Sequence, residues 1–123
     1  MTHHIDWIEF VSTDNRALSA FYEKLFGWKM QGFMPGYDVW MPDSGPGGGF
    51  RENCPAGTPQ TVIYVNVADI DATLAQVAET GGTVVVAKTE IAPEVGWSAI
   101  FRDPSGNIVG LHQNPAGHPA SDS

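Results

Sequence analysis

Apolar and polar residues follow a pattern along this chain that occurs twice. Strand-like runs at 5–11 and 61–67 each lead to an aspartate, Asp14 or Asp69, and each aspartate precedes a helical run that stops at a glycine. The spacing is 55 residues at the aspartates (69 − 14) and again at the glycines (82 − 27). An offset that is kept through a strand, a helix cap and a helix end predicts a duplicated structural unit.

Each aspartate is predicted to cap a helix that lies on a sheet. A side-chain oxygen of Thr13 or Asp14, and of Asp69 in the second copy, can accept hydrogen bonds from the free amides of a first helical turn. Apolar residues then return at helical spacing, which predicts one buried face for each helix: Ala17, Leu18, Phe21, Tyr22 and Leu25 in the first, and Ile70, Leu74, Val77 and Ala78 in the second. Gly27 and the pair Gly81-Gly82 are predicted to end the helices.

The segments after each helix are predicted to be short strands divided by proline and glycine turns. Their predicted ranges are 28–33, 37–41 and, less clearly, 47–51 in the first half, and 83–87, 97–102 and 107–112 in the second half. Each half then reads as a βαβββ module. The chain is therefore interpreted as a single α+β domain, 1–123, with module one at 4–52, a linker at 53–59, module two at 60–113 and a flexible tail at 114–123.

Length and charge restrict the class of protein. With 123 residues, the chain is long enough for one domain with a core. The formal charge of −8 disfavours nucleic acid and anionic membrane surfaces as partners. Its one cysteine, Cys54, excludes an internal disulfide, and the N-terminal sequence lacks the basic and apolar regions of a signal peptide. No apolar run reaches the roughly 20 residues that cross a bilayer, so the cytoplasm is the predicted compartment.

Two motifs in order across this repeat resemble one known family. They are Asp14…Phe21-Tyr22…Phe26-Gly27-Trp28 and the closing hairpin Phe101-Arg102-Asp103-Pro104-Ser105-Gly106-Asn107. Together with the two βαβββ modules, they make residues 4–113 resemble the vicinal-oxygen-chelate superfamily of glyoxalase I, bleomycin resistance proteins and extradiol dioxygenases. The resemblance implies tandem βαβββ modules that form an eight-stranded incomplete barrel, or cup, with the helices outside. It also implies a homodimer in which strands of both subunits close each cup.

The resemblance implies a divalent metal that acts as a Lewis acid on a chelated substrate. In the family, the ligands lie seven residues before each helix-capping aspartate and three residues after the asparagine of the closing hairpin. Those positions are Trp7, Val62 and Gly110 in this chain. Indole has no free nitrogen lone pair, and valine and glycine have no donor atom. We therefore expect no metal at the usual place and no cofactor.

Strand alternation predicts what lines the cup instead. If the three metal positions point inward, the residues two positions away on each strand do so too, which gives an inward row of Trp7, Glu9, Val11, Val62, Tyr64, Asn66, Ile108, Gly110 and His112. The alternate row, predicted to face the helices, is uniformly apolar: Ile8, Phe10, Ile63, Val65, Val109 and Leu111. Aromatic surface with a few polar groups is typical of a small-molecule pocket. Gly110 is expected to leave open the space that a glutamate fills in the family.

The candidate site residues each allow more than one role. Glu9 is a candidate general base, and equally a structural carboxylate at a rim or dimer contact. His112 is a candidate acid or ligand, or a solvated residue near a strand end. Trp7 and Tyr64 either pack in the protein or also stack on a ligand. The glycine run 45–49 lacks the features of a phosphate loop and is interpreted as a bending strand or a mobile rim.

Four hypotheses for function remain at this point. The preferred one is metal-independent binding of a small, partly aromatic molecule in the cup. The second is a lyase or isomerase in which Glu9 moves a proton, assisted by His112 or Tyr64. The third is a metal enzyme that uses displaced ligands such as Glu9 and His112. The fourth is an interaction subunit whose cup is filled by its own tryptophans.

Overall fold

The structure, a computed structural model, describes residues 3–116. Of the predicted flexible tail, residues 117–123 lie outside the described residues. The chain divides into two compact units. The first unit is Trp7–Val62, and the second unit comprises the residues up to Asp6 together with those from Ile63 onward.

The first unit contains the predicted βαβββ order. Its elements are β1 (Ile5–Val11, of which residues 7–11 belong to this unit), α1 (Asn15–Phe26), β2 (Met30–Met34), β3 (Tyr37–Trp40) and β4 (Gly47–Arg51). The strands pair in the order β2-β3-β4-β1, with β1 parallel to β4 and the other pairs antiparallel. The strand predicted at 28–33 begins only at Met30. Trp28 lies outside it and stacks on Trp40, with a ring separation of 4.3 Å.

The second unit repeats this order. Its elements are β5 (Thr61–Asn66, of which residues 63–66 belong to this unit), α2 (Ile70–Glu79), β6 (Thr83–Ala92), β7 (Gly96–Arg102) and β8 (Ile108–Gln113). The strands pair in the order β5-β8-β7-β6, with β5 parallel to β8. Strand β6 is longer than the predicted 83–87 because it pairs with β7 as far as Ala92, opposite Gly96. The predicted α+β class and the tandem βαβββ modules are confirmed.

The helix caps confirm the duplicated pattern. Asp14, rather than Thr13, caps α1 by accepting from the amides of Arg16 and Ala17, and Asp69 caps α2 by accepting from Ala72. A side chain at the end of the closing strand, or one residue after it, adds a second acceptor. The Glu52 carboxylate accepts from the amide of Asn15, and Gln113 Oε1 accepts from that of Ile70 at 2.8 Å. In each module, the first turn of the helix is thus held by the aspartate just before it and by a side chain at or just after the end of the closing strand. Together these contacts orient the helix on its own sheet.

The core of each unit lies between its helix and its sheet. In the first unit, Phe10 stacks on Tyr22 and Phe50, and Phe50 is fully buried, so the prediction that Phe10 faces the helix is confirmed. In the second unit, five buried residues form one cluster with Val65, Trp97 and Phe101 packed against it: Val67, Ile70, Leu74, Ala99 and Leu111. Val65 and Leu111 therefore face the helix as predicted.

Part of the predicted buried helix faces is exposed. Phe21 and Leu25 are 54% and 56% exposed, and Ala78 is also exposed. Tyr22 of α1 stacks on Phe10, and Phe21 contacts the Tyr22 ring in an edge-to-face arrangement. Ile63, which was predicted to face the helices with Val65, is 37% exposed. Among residues 3–116, no helix has both the length and the apolar character needed to span a bilayer.

Candidate functional site

A hydrogen-bonded chain of side chains surrounds Glu9 in the first unit. The indole Nε1 of Trp7 donates to the Tyr37 hydroxyl at 3.0 Å, and that hydroxyl donates to Glu9 Oε2 at 2.8 Å. Arg51 Nη1 lies 3.4 Å from the other carboxylate oxygen, Oε1. We call these four residues the Glu9 cluster. Since an indole N–H can only donate, the single proton of Tyr37 is directed to Glu9.

The Glu9 cluster is made possible by glycines in β4. Gly49 lies opposite Glu9 on one side and Val39 on the other, and a Cβ at Gly49 would lie 2.5 Å from the Tyr37 hydroxyl oxygen. A Cβ at Gly48 would collide with the Trp40 ring, 2.6 Å from its Cζ3. The missing side chains therefore make room for aromatic rings. Residues 47–49 form a buried strand that is paired on both sides, so this part of the run is a strand, the first of the two interpretations, and not a mobile rim.

The second unit holds a separate polar group around His112. Its Nδ1 lies 2.7 Å from Asp6 Oδ2, and its Nε2 lies 2.8 Å from the carbonyl oxygen of Val95. Asn66, which is opposite His112 in the register of β5 and β8, donates from Nδ2 to the same Asp6 oxygen at 2.8 Å. Because both ring nitrogens face acceptors, the imidazole donates from both in its charged form.

The contacts of His112 also raise its affinity for a proton. Burial by itself lowers the pKa of His112. The hydrogen bonds to Asp6 and Val95, together with the charge of Asp6, outweigh that effect and hold the pKa above the ordinary value of 6.5. In its charged form His112 has no lone pair for a metal ion, and its contact with the Val95 carbonyl ties the β6–β7 turn to the end of β8.

The space at Gly110 is filled, contrary to expectation. Tyr64 lies opposite Gly110 in the register of β5 and β8, and its ring lies across the glycine. A Cβ at Gly110 would overlap this ring, with the Tyr64 Cγ only 2.7 Å away. The expectation of an open space is therefore wrong, because the neighbouring aromatic ring replaces the side chain that glycine lacks.

The predicted site residues thus fall into three groups. Trp7 and Glu9 meet through Tyr37, Asn66 meets His112 through Asp6, and Tyr64 covers Gly110. Val62 is buried, and Ile108 and Val11 are partly buried. Trp40 and Trp28 stack on the helix side of the first unit, and Trp97 packs against the core of the second unit, so these three tryptophans contribute to the cores of their own units.

Three residues of these contacts, Tyr37, Arg51 and Asp6, were not predicted from the sequence. Tyr37 could have been noticed as an aromatic residue at the start of a predicted strand. The sequence does not show the cross-strand register that brings it to Glu9. Asp6 lies next to Trp7 on β1, and strict alternation groups it with Ile8 and Phe10. Its carboxylate instead meets Asn66 and His112 in the second unit.

The family's metal does not fit the residues at its ligand positions. Trp7 presents only an N–H, which is directed to Tyr37, Val62 is a buried hydrocarbon, and Gly110 is covered by Tyr64. Within residues 3–116, no three His, Cys, Asp or Glu side chains are grouped in a way that could hold a metal ion.

Comparison with known proteins identifies relatives of this chain. The model of the "Glyoxalase/Bleomycin resistance protein/Dioxygenase superfamily" matches residues 4–111. The "Putative glyoxylase CFP32" of Mycobacterium tuberculosis is 30% identical over 88% of this chain, which spans only 44% of that protein's length. A "Glyoxylase-like domain-containing protein" of Didymella fabae is 29% identical over 90% of this chain and 94% of its own.

Solved structures support the same fold at low sequence identity. A hypothetical protein from Bacillus halodurans matches with a TM-score of 0.74 and 15% identity, over 96% of this chain and 99% of that one. Methylmalonyl-CoA epimerase from Mycobacterium tuberculosis matches with a TM-score of 0.70 and 14% identity, over 92% and 88% of the two chains. Similarity at this level concerns the fold and leaves the site to be argued from its own residues.

Proposed function

The chain belongs to the Glyoxalase/Bleomycin resistance protein/Dioxygenase superfamily, and we propose that it binds a small, partly aromatic molecule without the metal of that family. The observation that carries the proposal is the Glu9 cluster. Two donors, the Tyr37 hydroxyl and the Arg51 guanidinium, converge on the Glu9 carboxylate, whose side chain is 14% exposed, and the Trp7 indole holds the Tyr37 hydroxyl from behind. A few placed polar groups on an aromatic surface are typical of a small-molecule site.

The aromatic surface next to Glu9 supports the proposal that the ligand is partly aromatic. Trp7 is only partly buried, and the ring of Phe33, with 41% of the residue exposed, meets the edge of Tyr37 at 6.4 Å. Such rings bind planar ligands by offset stacking or edge contacts. Trp7, Val62 and Gly110 offer no electron pair to a metal ion, which supports binding without the family's metal.

A thermal-shift screen of small aromatic compounds tests this proposal. At a concentration about tenfold above its dissociation constant, a ligand is expected to raise the melting temperature by roughly 5 °C. The increase is expected to be the same with and without EDTA and to be smaller in Glu9→Gln. Glu23→Gln, on an exposed part of α1, is the matched control and should respond as the wild type does. A screen without any response, or a response that EDTA removes, contradicts the proposal.

An enzyme of lyase or isomerase type is the second candidate function. It is favoured by the way Tyr37 and Arg51 fix the Glu9 carboxylate, because a general base must be held in reach of the proton that it removes. The CFP32 relative is named a glyoxylase, but this chain spans less than half of its length, so an activity of the whole relative is part of the proposal only.

Proton exchange in heavy water tests this second function. Compounds that raise the melting temperature would be followed by NMR for loss of the signal of an acidic C–H. Wild-type protein is expected to catalyse exchange, and Glu9→Gln to reduce the rate by about 100-fold or more, which is the usual contribution of a general base. An exchange rate that is equal in both proteins would remove Glu9 from this role.

The proposal includes two further properties. The proposed compartment is the cytoplasm. The assembly is taken to be a homodimer, as the family resemblance implies.

A further inference from the structure

The donors of Trp7 and Tyr37 in the Glu9 cluster are directed inward. The Trp7 N–H is directed to Tyr37, the one Tyr37 proton is directed to Glu9, and Arg51 donates to the second oxygen of Glu9. Arg51 also takes part in further interactions, and its side chain is 53% exposed, against 14% for Glu9. In the less exposed part of the cluster, around Glu9, what remains for a ligand is therefore acceptor capacity.

That acceptor capacity belongs to Glu9. An ionised carboxylate has about four positions at which its oxygens accept hydrogen bonds. Tyr37 and Arg51 occupy one on each oxygen, and among residues 3–116 no other donor lies within hydrogen-bond distance of Glu9. The side chain is mostly buried but retains 14% exposure. A ligand that reaches it therefore meets lone pairs of a charged oxygen that already has a fixed orientation.

We infer that the Glu9 cluster selects ligands that present a hydrogen-bond donor and rejects ligands that present only acceptors, with Tyr37 as the positioning residue. The ligand class is an aromatic ring that carries an amide, hydroxyl or ammonium group. A carboxylate on the ring is excluded because two acceptor-only groups cannot share a hydrogen bond and their charges repel. This inference rests on the proposed binding function and assigns the chemistry of the ligand at that site.

Tyr37 acts on selection through Glu9. Its hydroxyl links the Trp7 indole to the carboxylate, and Gly49 provides the room for its ring. Without the hydroxyl, Glu9 loses the donor that fixes Oε2, and the carboxylate can turn to other partners. The affinity for a donor-bearing ligand should then fall, whereas contacts that involve only the ligand ring should remain.

Three compounds of nearly the same shape test the inference. Benzamide has N–H donors, methyl benzoate is neutral without a donor, and benzoate is an acceptor-only anion. Dissociation constants would be measured by NMR titration of the full chain. Benzamide is expected to bind roughly tenfold more tightly than either of the others, the size expected for one hydrogen bond to a charged group.

The same titrations on variants assign the preference to named residues. Glu9→Gln is expected to bring the three affinities close to parity, because a glutamine amide offers both a donor and an acceptor. Tyr37→Phe is expected to lower the benzamide preference severalfold without changing the affinity for methyl benzoate, which separates positioning from a loss of structure. Glu23→Gln, with the same change of charge, is expected to keep the wild-type preference.

The outcomes separate the inference from the proposed function. If none of the three compounds binds, the proposed function fails and the inference with it. If they bind equally, or if benzoate binds most tightly, the binding function stands and the inference is overturned. A benzamide preference that persists in Glu9→Gln also overturns it, since the selecting group would then lie elsewhere.

Discussion

Replacement of Gly110 by alanine is expected to lower the free energy of unfolding by about 3 kcal/mol. The added Cβ would overlap the Tyr64 ring across β5 and β8, including its Cγ, so small movements at the tip of the ring cannot relieve the contact. The ring would have to leave its position, or the two strands would have to separate. Urea denaturation of the purified variant measures the loss.

A double-mutant cycle assigns the effect to this contact. Gly110→Ala in a Tyr64→Ala background is expected to cost less than about 1 kcal/mol, because the ring that it would meet is gone. Gly32→Ala is the matched control, since its Cβ would lie at an ordinary 3.7 Å from Asp38 Oδ1, and it should change stability by less than about 0.5 kcal/mol. Equal losses for Gly110→Ala in both backgrounds would contradict the proposed overlap.

His112 is expected to contribute a stabilisation that is present at acidic pH and lost at alkaline pH. Its pKa in the folded protein is above the ordinary 6.5. The favourable contribution is therefore complete below the unfolded value and disappears as the pH rises through the folded value. Once the proton is lost, one ring nitrogen carries a lone pair that faces the Asp6 carboxylate or the Val95 carbonyl.

Unfolding of the wild type and of His112→Gln at several pH values measures this contribution. At about pH 5.5 the difference in unfolding free energy is expected to be about 2 kcal/mol, less than for a fully buried pair because about a fifth of each side chain is exposed. The difference is expected to shrink at about pH 8.5. Asp6→Asn should reduce the same difference at acidic pH, and a difference that grows with pH would refute the assignment.

The local features of the fold could be predicted because they depend on residues close in sequence. The 55-residue offset located both capping aspartates, and the capping oxygens of Asp14 and Asp69 accept from amides two or three residues ahead. The alternation along β1 also placed Phe10 against its helix. The extent of β6 could not be predicted, because its last residues form a strand only through pairing with β7.

The site could be predicted only in part, because its contacts join residues far apart in sequence. Trp7 was found from the ligand position that the family resemblance implies, and Glu9 from alternation along the same strand. Tyr37, 28 residues from Glu9, reaches it through the register of β3 and β4. His112 was found as a candidate, yet its partners are Asp6, 106 residues away, and the Val95 carbonyl. A backbone acceptor has no side-chain signature, so the sequence left open the possibility that His112 was solvated.

The glycines of β4 have a consequence for changing what this protein binds. Trp40 and Tyr37 occupy opposite faces of a strand that has no side chains of its own at 48 and 49, so one strand serves both the core and the candidate site. A new contact residue at Gly49 cannot be added alone, because it requires a smaller residue at 37. Substitutions at these positions would become acceptable only in pairs, and selection from single-residue libraries would miss them.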